Sequence, residues 1–357
     1  MSDTSALLDA EQTRAGCQRW LGPTAEIVGF TSPPSTGYSC ETYVLDVDRA
    51  GRITREILRT APPGKTLFGG YDLEVQVNCM RALAELIPTP SILAYESDPS
   101  FIGRPFYVMA AVEGRTPDEN PPYTMFGWVK DAPFATQALL YTEAIDVIAR
   151  LGSTRPADVG LQDSLDRPEL GDTGLDQQLA RWRELDQWGR QGTEQPTLDA
   201  AWSWLDEHRP TDPGRDRILW GDARVSNMIF GDDGRVRAVL DWEMAGHGPA
   251  EIDLAWLLWM DRQFTVVFDT PRLEGFPGEP ALIQRWADSI GHLPTDLDWF
   301  LVFAGVRFSI IQMRVAILSK QDGHLPVDSD VERNHLGTRL LAKTLGLPSP
   351  GPVGFMG

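Results

Sequence analysis

The sequence predicts an α+β fold of two lobes: a small antiparallel-sheet N-lobe with one main helix, and a larger, mostly helical C-lobe. Between residues 40 and 112, short runs rich in Val, Ile, Tyr and Phe are separated by turn residues, as in strands. From residue 135 onward, apolar residues recur at helical spacing. A chain of 357 residues is long enough to bury the cores of one or two domains.

The predicted N-lobe spans residues 1–114. A helical lead-in over residues 1–30 is expected to end near Leu21, where Gly and Pro follow. The main helix is predicted at Asp72–Leu86, which carries apolar residues at helical spacing. The predicted strands are Glu41–Asp48, Arg55–Thr60, Ser91–Glu96 and Pro105–Val112.

The predicted C-lobe spans residues 115–346, and a Pro/Gly-rich tail that we expect to be flexible follows at residues 347–357. A hairpin interrupts the helical pattern, with Met228–Phe230 and Val236–Leu240 flanking a Gly-Asp-Asp-Gly turn. The predicted helices are Ala135–Leu151, Ala200–His208, Leu254–Arg262, Leu297–Leu318 and Val331–Leu345.

The segment around this hairpin carries three side chains that suit chemistry at a phosphate. Asn227 lies five residues after Asp222, and Asp241 lies fourteen residues after Asn227. The hairpin between the last two returns Asp241 beside the loop that holds Asn227. A loop carboxylate can orient an acceptor hydroxyl and take its proton. One amide and one carboxylate oxygen suffice for Mg²⁺, which keeps waters and phosphates as its other ligands. The structural alternative is that the three residues only cap turns and a helix.

This segment resembles the catalytic and metal-binding segments of the aminoglycoside phosphotransferase family, which has a bilobal protein-kinase-like fold. The resemblance covers roughly residues 25–345. It is closest to the branch that forms the phosphotransferase portion of some acyl-CoA dehydrogenase fusion proteins. It implies that Asp222 is catalytic and that Asn227 and Asp241 bind Mg²⁺ on ATP. Trp220 stands where that branch usually has His, and we expect its indole to pack and to donate one hydrogen bond.

The same resemblance implies a nucleotide site in the N-lobe. Arg59 takes the place of the strand Lys that contacts phosphates, although Arg differs from Lys in geometry. Ile57 shares its strand face by alternation and is expected to cover adenine. Gln76 stands where the partner Glu usually lies, so we expect a charge–amide hydrogen bond with Arg59 in place of an ion pair. The alternative for Arg59 is a surface residue on an edge strand.

Less specific patterns predict two further parts of that site. They are a roof loop that would cover the phosphates and a hinge segment between the lobes that would contact adenine. The loop at residues 31–40 contains one Gly, Gly37, where such loops usually have three, and a plain hairpin turn explains it equally well. Residues 106–114 resemble the interlobe hinge. There, Ala110 and Val112 are expected to meet adenine, with Val112 making the contact. The residues of the loop that would hold phosphates through hydroxyls or backbone N–H groups are Ser35, Thr36, Gly37 and Ser39.

Residues near the catalytic segment are candidates for contact with the acceptor. Arg224 would bind an anionic group of the substrate, the alternative being a solvated loop Arg. Glu243 would reach the metal or the substrate. Asp253 precedes an apolar helical run, so we expect it to cap that helix and to have a structural role. Trp242, Trp256 and Trp259 would either wall the pocket or pack in the core, the latter being more common.

The charge and composition of the chain limit the classes of molecule that it is expected to bind. A net charge of −19 repels nucleic acids and anionic membranes, and it tolerates a cationic substrate. The sequence shows no sustained apolar run of about 18 residues, so we expect no membrane span. The three cysteines, Cys17, Cys40 and Cys79, are widely spaced and fit a reducing, cytoplasmic compartment. The expected partners are therefore ATP and a small hydroxylated substrate, and a homodimer is left open.

Together these observations predict an ATP-dependent kinase that phosphorylates a hydroxyl of a small molecule. The acceptor is either aminoglycoside-like or a hydroxy acid or hydroxyacyl compound. The alternative is a catalytically impaired nucleotide-binding regulatory protein, suggested by Trp220, Gln76 and Arg59. A hydrolase that uses Asp222 and Asp241 as a carboxylate pair is a weaker alternative, because it leaves Asn227 unexplained.

Overall fold

The computed structural model describes residues 2–32, 39–62, 64–119, 121–212, 214–263, 265 and 270–351. They form the α+β, kinase-like fold that the sequence predicts. The N-lobe consists of α1 (Ser2–Leu21), β1 (Glu26–Thr31), β2 (Glu41–Arg49), β3 (Arg52–Thr60), α2 (Leu73–Ala82), β4 (Ile92–Glu96) and β5 (Phe106–Ala110).

The described part of the C-lobe is mostly helical and contains two short strand pairs close to the catalytic segment, β6 with β9 and β7 with β8. Its elements are α3 (Trp128–Asp131), α4 (Phe134–Gly152), α5 (Gln162–Leu165), α6 (Gly174–Gly189), α7 (Pro196–Glu207), β6 (Arg217–Leu219), β7 (Met228–Phe230), β8 (Val236–Val239), β9 (Gly246–Gly248), α8 (Glu251–Arg262), α9 (Glu279–Ile290), α10 (Leu297–Gln321) and α11 (Leu336–Thr344).

The N-lobe sheet places β3 at its centre. The strand order is β1-β2-β3-β5-β4, and neighbouring strands are antiparallel. On β3, Arg59 pairs with Thr42 of β2 and with Tyr107 of β5. It is 8% exposed. The alternative of a surface Arg on an edge strand is therefore wrong.

Two helices flank this sheet and belong to different cores. Apolar residues of α1 and of one sheet face form a small separate cluster, which includes Cys17, Ile27, Leu45, Leu58 and Val108. The buried face of α2 joins the large core that continues through the C-lobe. Strands β3 and β5 pack between these two clusters. Close packing on both faces therefore fixes the position of β3, the strand that carries Arg59.

The longest described helix, α10, runs through the core of the C-lobe. By length and composition it is apolar enough to cross a membrane, but its most apolar stretch is 83% buried inside the fold. Two arginines, Arg307 and Arg314, are buried along it. Charged residues that face the interior of a protein need partners, so this helix combines core packing with specific polar contacts.

The predicted elements do not include strands β1, β6 and β9 or helices α3, α5, α6 and α9. Helix α6 nevertheless begins with a capping box between Thr173 and Asp176. Its buried Leu175, Leu179 and Trp182 have helical spacing. Both signals were available and could have identified it.

Several boundaries differ from the predicted ones. Helix α2 ends at Ala82 and not at Leu86, and Asp72 is its N-cap, accepting a hydrogen bond of 3.0 Å from Val75 N. Helix α11 begins at Leu336 and not at Val331, because His335 caps it. Of the predicted tail, residues 347–351 are described, and Leu347 N donates to Ala342 O at 2.8 Å. The remainder of the tail lies outside the described residues.

Candidate active site

The loop at residues 220–227, which carries Asp222 and is called the catalytic loop below, follows β6 and is fixed by the carboxylate of Asp253. Its Oδ2 accepts from Trp220 N at 2.7 Å, and its Oδ1 accepts from Gly221 N at 3.0 Å. Helix α8 has Ala250 as its N-cap, so the expectation that Asp253 caps the helix is wrong. Asp253 does have a structural role, as expected, but it acts on the loop: its carboxylate accepts hydrogen bonds from two backbone N–H groups there.

Gly221 allows the loop to pass close to the segment after β8. Its φ is +90°, a conformation that L side chains rarely adopt. A Cβ at this position would lie 2.1 Å from the carbonyl oxygen of Met244. Only Gly therefore fits, and the close approach brings the loop of Asp222 beside the segment of Asp241.

Asp222 is buried and both of its carboxylate oxygens accept hydrogen bonds. Oδ1 accepts from Trp256 Nε1 at 2.8 Å, and Oδ2 accepts from Asn227 Nδ2 at 2.8 Å. Arg224 Nη2 lies 3.0 Å from Oδ2. Burial raises the pKa of Asp222, and the charge of Arg224 opposes this increase. The carboxylate is thus held in one orientation by groups that favour its charged form.

Asn227 and Asp241 meet across the base of the hairpin. Asn227 ends a short 3-10 turn, and its carbonyl accepts from Leu240 N at 2.8 Å. Because Asn227 Nδ2 donates to Asp222, the amide oxygen is the atom left for a cation. Asp241 has a φ of +60°, and its buried Oδ1 has no hydrogen-bond partner among the described residues. Such a buried, unpartnered carboxylate oxygen suits a metal ligand.

A metal would need ligands from outside the protein as well. Within the described part of the chain, no group of three or more His, Cys, Asp or Glu side chains could hold an ion. Two protein oxygens with phosphates and waters are the usual arrangement for Mg²⁺ on a nucleotide. The donor set of Asn227 and Asp241 therefore fits that ion better than it fits zinc, which prefers nitrogen and sulfur ligands.

Arg59 reaches this position from the N-lobe. Its Nη2 lies 3.7 Å from Asp241 Oδ2, and its Nε is buried with no hydrogen-bond partner in the described structure. Burial acts to lower the pKa of Arg59, but the charge of Asp241 and other nearby groups raises it well above the ordinary value. The guanidinium is therefore a permanent positive charge that faces the candidate metal ligands.

The expected hydrogen bond between Arg59 and Gln76 is not formed. Gln76 is buried, and its Oε1 accepts from the hydroxyl of Tyr107 at 3.1 Å. Its Nε2 lies 3.9 Å from Cys40 Sγ. Sequence spacing placed Gln76 correctly on the inward face of α2, but the neighbouring Tyr107 competes for its amide. The usual pair of strand cation and helix carboxylate has no direct equivalent at these two positions.

Glu243 connects the Asp241 segment to the roof loop. Its Oε2 accepts from Ser39 Oγ at 2.6 Å. Burial, together with the nearby charge of Asp241, raises the pKa of Glu243 to about 8, and the charge of Arg59 opposes this increase. The backbone carbonyls of Glu243 and Ala245 each accept from Arg181, at 3.2 Å. Arg181, which the sequence did not suggest, therefore holds this segment from the side of α6.

Arg224 is engaged by carboxylates and is not a solvated loop residue. Its Nη1 lies 2.7 Å from both carboxylate oxygens of Glu119, and its Nη2 contacts Asp222. Its side chain is 24% exposed. An anionic substrate group would have to compete with both carboxylates, so the structure gives no support to the proposed substrate contact. Glu119 follows the hinge and was not predicted as a site residue.

The remaining predicted residues lie along the N-lobe side of the cleft. Ile57 is half-buried on β3 opposite Met109. Strand β5 ends at Ala110, and Ala111 N donates to Arg55 O at 3.2 Å, so Val112 follows the strand and does not belong to it. The adenine contacts of Ile57, Ala110 and Val112 stay predictions. The predicted phosphate contacts outside the described residues are those of Ser35, Thr36 and Gly37.

Comparison with known proteins decides the family. The model of the phosphotransferase enzyme family (APH) matches residues 31–283, which is more than half of the chain. The chain belongs to the phosphotransferase enzyme family. Solved structures of this fold are named as small-molecule phosphotransferases, among them macrolide 2'-phosphotransferase type I.

The curated relatives are longer proteins. Acyl-CoA dehydrogenase family member 11 from Gallus gallus is 31% identical over 231 residues, which cover 62% of this chain but 27% of that protein. The chain therefore corresponds to less than a third of the relative's length. This relationship confirms the branch of the phosphotransferase family that the sequence resembles.

Solved structures show the same fold. A putative aminoglycoside phosphotransferase from Ralstonia eutropha has a TM-score of 0.65 and 23% identity, covering 92% of this chain and 95% of that one. A thermostable mutant of aminoglycoside phosphotransferase APH(4)-Ia, in ternary complex with AMP-PNP and hygromycin B, has a TM-score of 0.54 and 13% identity. That likeness covers 89% of this chain and 95% of that one.

Proposed function

We propose that this phosphotransferase transfers the γ-phosphate of ATP to a hydroxyl group of a small molecule. The observation that carries the proposal is the convergence of Asp222, Asn227, Asp241 and Arg59 on one point of the cleft. Asp222 is linked to Asn227 by a 2.8 Å hydrogen bond, and Asp241 lies 3.7 Å from Arg59. A neighbour of the same fold is named as a complex with an ATP analogue, which supports nucleotide binding.

Each residue has a distinct role in this mechanism. Asp222 accepts a hydrogen bond from the acceptor hydroxyl, orients it and takes its proton as the oxygen bonds to the γ-phosphorus and the bond from that phosphorus to the ADP oxygen breaks. Arg59 binds phosphate oxygens through its guanidinium. Asn227 and Asp241 would hold Mg²⁺, which neutralises the charge that develops on the phosphates when it is bound. The hinge after β5 would receive the adenine.

We further propose that the acceptor is a hydroxy acid or a hydroxyacyl compound and not an aminoglycoside. The relationship to an acyl-CoA dehydrogenase family member supports this choice, whereas the aminoglycoside phosphotransferases share only the fold. The proposal predicts that a panel of hydroxyacyl thioesters and hydroxy acids yields ADP faster than a panel of aminoglycosides. Faster turnover with aminoglycosides would reverse the assignment of the acceptor but not that of the reaction.

Substitution of the site residues tests the reaction itself. Asp222→Ala should reduce phosphoryl transfer by about a thousandfold or more, because the acceptor loses its orienting base. Binding of ADP with Mg²⁺, measured by thermal shift, should persist. Asp241→Ala should instead remove the Mg²⁺-dependent part of the thermal shift. Asp232→Ala, in the exposed hairpin turn, is the control and should change neither property.

A second function is favoured by one observation. The hydrogen bonds of Gln76 go to Tyr107 and Cys40 and not to Arg59, so the usual cation–carboxylate pair has no equivalent there. This arrangement would suit a nucleotide-binding regulatory protein without turnover. Wild-type protein that binds nucleotide tightly, but produces no ADP with any acceptor of the panel, would support this function and contradict the kinase.

A further inference from the structure

Beneath the catalytic loop lies a buried arginine of α10. Arg307 is 1% exposed, and its Nη2 donates to the carbonyl oxygen of Gly221 at 2.7 Å. Its Nε and Nη1 are buried and have no hydrogen-bond partner among the described residues. The guanidinium carbon lies 4.5 Å from the ring centroid of Trp256 and 5.0 Å from that of Trp182.

A charge in this position is not explained by packing. Moving a cation out of water is energetically costly, and an apolar side chain of similar volume often serves stability equally well. Burial lowers the pKa of Arg307 to about 10, while the charges of Asp253 and Asp222 raise it. Arg307 therefore stays charged at neutral pH, and the aromatic rings stabilise that charge by cation–π contact.

The contacts of Arg307 fix Asp222 from two directions. The Gly221 carbonyl that it binds belongs to the same peptide group as the nitrogen of Asp222. The carboxylate of Asp253 accepts hydrogen bonds from the two backbone N–H groups that precede this peptide, those of Trp220 and Gly221. Arg307 also packs on the ring of Trp256, whose indole N–H donates to Asp222 Oδ1. One side chain thus restrains both the backbone before Asp222 and the donor on its carboxylate.

We propose that Arg307 is a positioning residue that sets the orientation of the Asp222 carboxylate for phosphoryl transfer. The proposal rests on the proposed function, because it assigns Arg307 a role in that reaction. Its action is exerted through Gly221 and Trp256, and it makes no contact with the reacting groups. The physical basis is that a misplacement of about 1 Å in a catalytic group can cost on the order of a hundredfold in rate.

The test compares two matched arginines of the same helix. Arg314 lies seven residues after Arg307 and is 2% exposed. It donates to the carbonyls of Gly189 and Thr66 and stacks 4.2 Å from the ring of Trp188. Arg307→Met should reduce kcat about 10- to 100-fold and leave the KM for nucleotide and for acceptor within about twofold. Arg314→Met should reduce stability similarly with little change in kcat.

Arg307→Lys provides the conservative variant. Lys keeps the charge and can donate to a carbonyl, so it should recover part of the lost kcat although its geometry differs. A role in stability alone would lower the melting temperature and leave the kcat of the folded protein unchanged, and that result would overturn the proposal. If Arg307→Met does not fold, Arg307→Gln takes its place, because Gln lacks the charge and the cation–π contact, and a wild-type kcat in that variant would also overturn the proposal.

Hydrogen exchange separates this proposal from the proposed function. The amides of Trp220 and Gly221 should exchange at least about tenfold faster in Arg307→Met than in Arg314→Met, because the loop loses one of its two anchors. If wild-type protein phosphorylates no acceptor, the proposed function fails whatever the exchange rates. Unchanged exchange at both amides in Arg307→Met would overturn the positioning role even in an active enzyme.

Discussion

The Nη2 atom of Arg59 lies 3.7 Å from Oδ2 of Asp241. The contact joins the central strand of the N-lobe to the end of the hairpin in the C-lobe. It is longer than a hydrogen bond, but it brings a buried cation to the carboxylate that we assign to the metal. The relative placement of the two lobes therefore matters directly for the proposed nucleotide site.

Replacement of Arg59 should weaken nucleotide binding more than turnover. Arg59→Ala removes a charge-assisted contact worth about 1.5–3 kcal/mol, so the KM for ATP should rise by about 10- to 150-fold. Arg59→Lys should give a smaller increase, since one ammonium replaces a fork of donors. Steady-state kinetics with varied ATP measure this effect.

Arg55 provides the matched control for that experiment. It lies on the same strand, but its side chain is 64% exposed and pairs with Asp46. Arg55→Ala should leave the KM for ATP unchanged. If both substitutions raise it equally, β3 has been disturbed as a whole and Arg59 is not a phosphate ligand.

The indole of Trp220 connects the catalytic loop to the Asp241 segment by hydrogen bonds. Its Nε1 donates to Leu240 O at 2.8 Å and to Asp241 O at 3.2 Å, as expected for a packed donor in place of His. Trp220→Phe leaves these carbonyls without that donor and should reduce the free energy of unfolding by about 1–3 kcal/mol. Urea denaturation measures the change.

The choice of replacement distinguishes the donor from the packing of Trp220. Trp220→His can restore one donor and should recover part of the stability that Trp220→Phe loses. Trp204→Phe, at a half-buried position, is the control for loss of indole area. Equal losses for Trp220→Phe and Trp220→His would show that packing, and not the hydrogen bond, is responsible.

Gly221→Ala should be far more damaging than an ordinary substitution at positive φ. The φ of +90° costs about 1–2 kcal/mol for an L side chain. In addition, the new Cβ would lie 2.1 Å from Met244 O, so the loop would have to move. Gly192→Ala is matched in φ, at +85°, and has no described atom within 4 Å of its Cβ. We expect loss of phosphoryl transfer for the first variant only, and similar activities would contradict the close approach.

His335 should make the protein less stable at acidic pH. It is 2% exposed, and burial lowers its pKa to about 3, with a smaller contribution from Arg339. Because the folded-state pKa lies below the unfolded value, its stabilising effect is full above pH ~6.5 and is lost as the pH falls toward 3. At pH 5 the loss should approach about 2 kcal/mol.

A variant that cannot titrate tests this effect. His335→Asn keeps an acceptor for Thr338 N, to which His335 Nδ1 is hydrogen-bonded at 3.3 Å, and should flatten the decrease in stability between pH 7 and pH 5. Urea denaturation at several pH values gives the slope. His324→Asn, at an exposed position, should keep the wild-type slope. A wild-type slope in His335→Asn would assign the acid sensitivity to other groups.

Local patterns in the sequence determined most of the fold and the centre of the site. The hairpin between Asn227 and Asp241 forms within a few residues, and its two strands pair as predicted. Alternation located β2, β3, β4 and β5 within a few residues, because one face of each strand packs inside. These signals act over short distances along the chain, so a single sequence contains them.

The tertiary structure alone decided which side chains hold Asp222 and the adjacent backbone in place by hydrogen bonds. Trp256 and Arg307 lie 34 and 86 residues from the groups that they bind. Periodicity places both on buried faces, but it cannot select one carbonyl or carboxylate as the partner. Likewise, Tyr107 and not Arg59 donates to Gln76, because the pairing depends on how β5 packs against α2. Buried polar groups take whichever partner the packed backbone brings within reach, and that is fixed only when the lobes are assembled.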